Sequence, residues 1–223
     1  MVEIAQIIRS HRKTTALIVQ RDGSLVVRAP LKVSDKAIAR LVEKKVDWIR
    51  AKQAQVRETY LPYMPKEFVK GENFWYQGNI YKLEIVEIES PKLSLNGSFR
   101  LSSTALPQAR RVFEGWYRNQ ASIVLSERVR QYASSHGFTC KQIKITSART
   151  RWGSCSSKGT LSFTWRLVMA PVPVIDYVVV HELVHLQVNN HSREFWNRVR
   201  LIMPDYQQRI EWLKINGHLL SLD

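Results

Sequence analysis

The chain has 223 residues, 44% hydrophobic and 24% charged, and a formal net charge of +15. That length can bury a sizeable core, and that composition excludes a disordered or fibrous chain. No apolar run approaches the roughly 18 residues of a membrane span. The opening residues, MVEIAQIIRSHRK, lack the apolar core of a signal peptide. Two cysteines, Cys140 and Cys155, are too few for a disulfide framework, so the expected compartment is the cytoplasm, with no membrane association.

The positive charge is uneven. Lysine and arginine outnumber aspartate and glutamate by 13 to 6 over residues 1–58 and by 16 to 8 over 108–223, but stand at 5 to 5 over 59–107. These limits are also the expected organisation: a basic hairpin-plus-helix subdomain at 1–58, a β-rich segment at 59–107 and a metal-hydrolase domain at 108–223. The three can equally form one continuous unit. A basic surface suits polyanions, so nucleic acid or a nucleotide is a partner to weigh.

In chain order, Thr15–Gln20 and Ser24–Arg28 are β-branched runs joined by Arg21-Asp22-Gly23, a hairpin pattern ended by Pro30. A helix begins after Ser34, a good N-cap, with Ile38, Leu41, Val42, Val46 and Ile49 on one stripe. Residues 56–70, with two prolines and a closing glycine, are the expected linker. Strands follow at Glu72–Tyr76, Ile80–Ile88, Lys92–Leu95 and Ser98–Leu101, the last two joined by Asn96-Gly97. A long helix is predicted from Pro107 to about Ser135, closed by His136-Gly137. Gln142–Thr146 and Thr160–Val168 read as strands around the turn-rich segment 151–159. Pro171 and Pro173 open a further helix, and Ser192 caps one running to about Met203.

Three of the six histidines fall within the eleven positions His181 to His191, in the string VVVHELVHLQVNNHS. On a helix, positions i and i+4 share a face, so His181 and His185 can offer two imidazoles to one metal, with Glu182 beside them to activate water. A catalytic zinc takes three protein ligands and leaves one position open. His191 lies six residues further on, past Asn189-Asn190, which tolerate helix-ending geometry, and a chain turning back there supplies the third ligand. The bland alternative is a buried helix carrying surface histidines. Magnesium fits poorly among imidazoles, whereas a two-His-one-carboxylate iron site and ligation by Cys155 stay open.

These residues, with Arg151-Trp152-Gly153-Ser154-Cys155, Trp165-Arg166-Leu167, Ala170-Pro171, Asp176-Tyr177-Val178-Val179, Phe195-Trp196 and Met203-Pro204-Asp205-Tyr206, resemble the YgjP-like metallopeptidase domain family. That family is itself similar to the WLM and SprT-like zinc peptidases. The resemblance covers most of the chain and is densest over 145–206. It implies an α+β fold, a small N-terminal sheet and helix packed with a zincin-like C-terminal half around a central His-Glu-x-x-His helix. It also implies a single Zn²⁺ on His181, His185 and His191, Glu182 as base, and a peptide or protein substrate. A nucleoside triphosphate pyrophosphatase and a nucleic-acid-associated zinc protein are the competing functions.

Arg151, Ser154 and Tyr206 are further candidates for touching substrate or an oxyanion. Each has a structural alternative: an ion pair for Arg151, a turn residue for Ser154 and a core ring for Tyr206. Trp152 and Met203 read as packing, Phe195 and Trp196 as a brace behind His191, and His11, His136 and His218 as surface.

Overall fold

The computed structural model describes residues 2–20, 22–59 and 65–222. They fall into two compact units, one within 1–64 and one within 65–223. The architecture is α+β.

In the first unit Ala16–Val19 (β2) and Leu25–Pro30 (β3) pair antiparallel, as the sequence predicts. Gly23, with φ 82°, donates to the Gln20 carbonyl, while the Asp22 carboxylate accepts from Ser24 N at 2.9 Å. Arg21 of the expected turn lies outside the described residues. Ile4–Ser10 (β1) is a strand that sequence reading missed. It runs parallel to β3, and such pairing is non-local and leaves no turn signal. Asp35–Lys44 (α1) starts at Ser34, whose Oγ accepts from Ala37 N at 3.3 Å, and buries Ile38 and Val42. The expected single stripe breaks at Lys45 (φ −111°, ψ 14°) and resumes as Val46–Thr59 (α2). Ile49 still reaches the core with Leu25, Val27 and Ala29. Of the expected linker, 60–64 lie outside the described residues.

The second unit opens with Asn73–Tyr76 (β4) and Asn79–Val86 (β5), joined by Gln77 (φ 49°) and Gly78 (φ 80°). Two consecutive positive φ values suit the right-handed twist of a two-residue hairpin. Glycine is needed at 78 on a second count, since a Cβ there would lie 2.8 Å from Pro171 Cα. The amides of Gln77 and Gly78 donate to the carbonyls of Val168 and Met169 at 2.9 and 3.0 Å. Ser98–Ser102 (β7) runs parallel to β5 and antiparallel to Leu93–Asn96 (β6).

Ala109–His136 (α3) buries Phe113, Tyr117, Ala121, Leu125 and Val129, one residue every fourth position, and ends on Gly137 at φ 69°. Gln142–Thr146 (β8), Gly153–Cys155 (β9) and Thr160–Thr164 (β10) form a sheet in the order β8-β10-β9. The strand expected to reach Val168 stops at Thr164. Trp165–Met169 coil into a short 3₁₀ segment buried at every residue, with Trp165 Nε1 donating to Ser147 Oγ at 3.2 Å. A run buried on all sides does not alternate, so its periodicity misleads. Similarly, part of the expected turn 151–159 is β9.

Val172–Val184 (α4) is apolar all round and nearly every residue from Val174 to Val184 is buried. It packs against α3, β9, Arg193–Ile202 (α5) and Tyr206–Asn216 (α6). The side chains that matter below sit at its C-terminal end. Among the described residues, no helix is long and apolar enough to cross a membrane.

Candidate metal centre

His181 occupies the last turn of α4, and His185 caps it with helical geometry (φ −63°, ψ −18°). The chain then turns through Asn190, whose Oδ1 accepts from Ser192 N at 3.1 Å, and Ser192 caps α5. This bend carries His191 back over the helix end. Its Nε2 lies 3.0 Å from Nε2 of His181 and 3.1 Å from Nε2 of His185. Phe195, fully buried, supports all three rings, with centroid distances of 4.9, 4.5 and 4.8 Å to His181, His185 and His191. The carbonyl end of a helix carries partial negative charge, so the cluster sits where a cation is favoured.

Neighbours of the rings fix which nitrogen faces the cluster. His185 Nδ1 is 3.0 Å from the Val188 carbonyl, which can only accept, so Nδ1 carries the proton and Nε2 keeps its lone pair. His181 Nδ1 lies 3.4 Å from the hydroxyl of Tyr177, one turn earlier on α4. His191 stacks on Trp196 (5.7 Å, 26°), and Trp196 stacks on Tyr206 (5.4 Å, 19°). Burial first, and then the neighbouring His185 and His191, bring the pKa of His181 down to about 3. Burial and His185 also lower that of His191. Both shifts favour the neutral imidazole, the form that binds metal, at His181 and His191. Three ring nitrogens gathered this closely could share one cation, and the described residues gather no other group of three or more such ligands.

Glu182 is 5% exposed and does not join the histidine cluster. It points at β9: a Cβ on Gly153 would fall 2.6 Å from its Oε1. Burial pushes its carboxyl up to about 7, partly countered by the positive charge of Arg151. A carboxyl in such surroundings can exchange a proton near neutral pH.

The other sequence candidates separate. Arg151 and Ser154 line one cavity beside Gly153. Tyr206 is buried against Trp196, one ring removed from His191. Trp152 packs onto Gly217, where a Cβ would lie 2.8 Å from its ring, and Met203 is in the core. Neither cysteine joins the three imidazoles, and both thiols are free. His11 and His136 are exposed as expected. His218 is not a surface residue: it is half-buried, its ring nitrogens shielded from solvent, because the end of the chain folds back onto the core.

Sequence reading missed Tyr177, Gly153 and the Val188 carbonyl. Tyr177 had a usable signal, its i−4 spacing from His181. The other two are brought in by tertiary approach and by the backbone.

A buried helix that presents two histidines and an acid, with a third histidine turned back over its end, is an arrangement that could hold a metal ion. A family profile described as YgjP-like, metallopeptidase domain, matches residues 13–216, and the chain belongs to that family. Among solved structures, the metallopeptidase zymogen of Pyrococcus abyssi abylysin is similar at 20% identity and a TM-score of 0.38, covering 43% of this chain and 94% of that one. The metallopeptidase zymogen of Methanocaldococcus jannaschii jannalysin is similar at 23% identity and a TM-score of 0.37, covering 43% and 96%. No curated protein matches the chain.

Proposed function

We propose that the protein is a zinc-dependent, zincin-like peptidase in which His181, His185 and His191 hold one Zn²⁺ and Glu182 is the catalytic base. The convergence of three Nε2 atoms, 3.0–3.1 Å from His191 to the other two, is the observation that carries this reading. Zinc bound at about 2.0–2.1 Å in tetrahedral geometry would space them by about 3.4 Å, so a small outward shift accommodates the ion. An all-imidazole set suits Zn²⁺ better than Mg²⁺ or Ca²⁺. Family membership supports a peptide or protein substrate and lends nothing to the nucleic-acid or nucleotide partner suggested by the net charge. The compartment we assign is the cytoplasm, on the two cysteines kept as free thiols.

Zinc held there supplies a Lewis acid that brings the pKa of water towards about 7 and polarises a carbonyl. The protein's own part is to hold and move the proton. Glu182, buried beside the cluster, takes the proton from the attacking water and passes it to the leaving amine. Gly153 leaves its carboxyl room, and Phe195 keeps the ligand rings in place.

Metal analysis and peptide hydrolysis, compared between wild type, Glu182→Gln and His191→Ala, test this. Glu182→Gln should keep about one zinc per chain and lose hydrolysis by a factor on the order of 10² or more. His191→Ala should lose zinc. Undiminished hydrolysis in Glu182→Gln, or undiminished zinc in His191→Ala, would overturn the assignment.

A further inference from the structure

The three-stranded sheet has a face that the metal centre does not use. In its register Ser162 of β10 lies opposite Ser154 of β9 and Lys144 of β8, and Thr164 lies opposite Thr146. Side chains alternate along a strand, so these polar groups share one face while Leu161 and Phe163, fully buried, turn to the other. At the ends of β8 and β10 the polar face hollows into a cavity of about 290 Å³. Thr146, Arg151, Gly153, Ser154, Ser162 and Thr164 line it. That volume admits one short polar group rather than an extended ligand.

Three observations specify the group. The first is charge: Arg151 is a cation among hydroxyls, no lining residue is acidic, and no salt bridge among the described residues occupies its guanidinium. The second is an unmet hydrogen bond. Thr164 is 2% exposed, and its Oγ1 has no hydrogen-bond partner among the described residues, which is unfavourable unless a ligand or water completes it. The third is position: Gly153 lines the cavity and also abuts Glu182, so one strand residue separates the two. A forked cation with hydroxyl donors matches a carboxylate.

We propose that this cavity is a substrate subsite that selects a carboxylate, with Arg151 as its cation and the hydroxyls of Ser154, Ser162 and Thr164 around it. It rests on the peptidase reading, the carboxylate being that of an acidic side chain or of the peptide C-terminus.

Binding and cleavage test it separately. The zinc-loaded protein is titrated calorimetrically with N-acetyl-glutamate amide and N-acetylglycine, each beside its neutral counterpart, N-acetyl-glutamine amide or N-acetylglycine amide. At least one carboxylate should bind about tenfold or more tighter than its amide, and which one does tells side chain from terminus. Arg151→Ala and Ser162→Asp, the second putting a competing charge in the cavity, should each bring that ratio close to one. A ratio near one in the wild type, or a preference surviving both substitutions, overturns the subsite; survival would place the carboxylate on the metal. Peptides matched as Glu against Gln around the scissile bond should give the same ordering in kcat/KM. If the probes bind as expected and no peptide is cleaved, the peptidase reading fails and the carboxylate site stands. If peptides are cleaved with no carboxylate preference, the subsite fails and the peptidase reading stands.

Discussion

Gly153 lies so close to Glu182 that a Cβ at position 153 would stand 2.6 Å from Oε1, 2.7 Å from Cγ and 2.9 Å from Cδ of the glutamate. Its φ is not in the left-handed region, so the requirement for glycine is steric. Strand β9 presses on the side chain of helix α4 that we assign as base, and its freedom from a side chain sets where that carboxyl rests.

Gly153→Ala should therefore move Glu182 or push β9 off α4. Overpacking of this kind costs about 1–3 kcal/mol. A displacement near 1 Å at the base lowers kcat by about a hundredfold. The variant should still bind zinc, since no ligand touches Gly153. Full activity would show that the carboxyl is placed by something else.

Tyr177→Phe probes the other end of His181. Removing the hydroxyl 3.4 Å from Nδ1 frees the ring to rotate. Loss of such an orienting partner typically weakens metal binding by about tenfold or more. Competition with a chromophoric chelator would read this, and an unchanged dissociation constant would mean that packing against Phe195 and Trp196 holds the ring.

The metal-free protein should show an unusual pH dependence. Burial holds His181 near 3, below its ordinary 6.5, so between those values the unfolded chain binds a proton that the folded one does not, and stability falls as pH falls. Glu182, raised from 4.5 to about 7, does the reverse: the folded chain binds the extra proton, and stability rises as pH falls from about 7 to 4.5. The two effects oppose each other between about pH 4.5 and 6.5, with His191 adding to the side of His181. In Glu182→Gln only the histidines remain. Its chelator-treated form should lose up to about 1.4 kcal/mol per pH unit more steeply than wild type across that window. Urea denaturation at a series of pH values measures this, and parallel curves for the two proteins would contradict it.

Asp176 of α4 and Arg128 of α3 form a two-pronged pair, Nε to Oδ1 and Nη2 to Oδ2, both 2.5 Å, with the Asp176 side chain 8% exposed. Arg128→Ala strands a buried carboxylate and should cost about 3–5 kcal/mol. The double variant with Asp176→Ala should be less destabilised than the sum of the singles. Additive losses would mean that the pair contributes little.

What could be read from the sequence follows the range of the interactions. The spacing of His181, Glu182 and His185 is local to one helix turn, and the bend at Asn189-Asn190 brings His191 within reach of them, so the cluster was visible in advance. Hairpins with their own turns, such as that at Asp22-Gly23, were visible for the same reason. Strand β1, the parallel pairing of β8 with β10 and the approach of Gly153 to Glu182 depend on residues distant in the chain. The Val188 carbonyl has no side-chain signature at all. Trp165–Met169, buried on every side, shows no periodicity to tell strand from helix.

The hairpin turn at Gln77-Gly78 has a consequence for assembly. Its two amides hold the carbonyls of Val168 and Met169, and its glycine admits Pro171 at the start of α4. These contacts join segments far apart in sequence, and closing such loops is slow compared with forming local turns. The start of the helix that carries His181 and leads to His185 is thus seated on the β4–β5 hairpin as well as on its own neighbours.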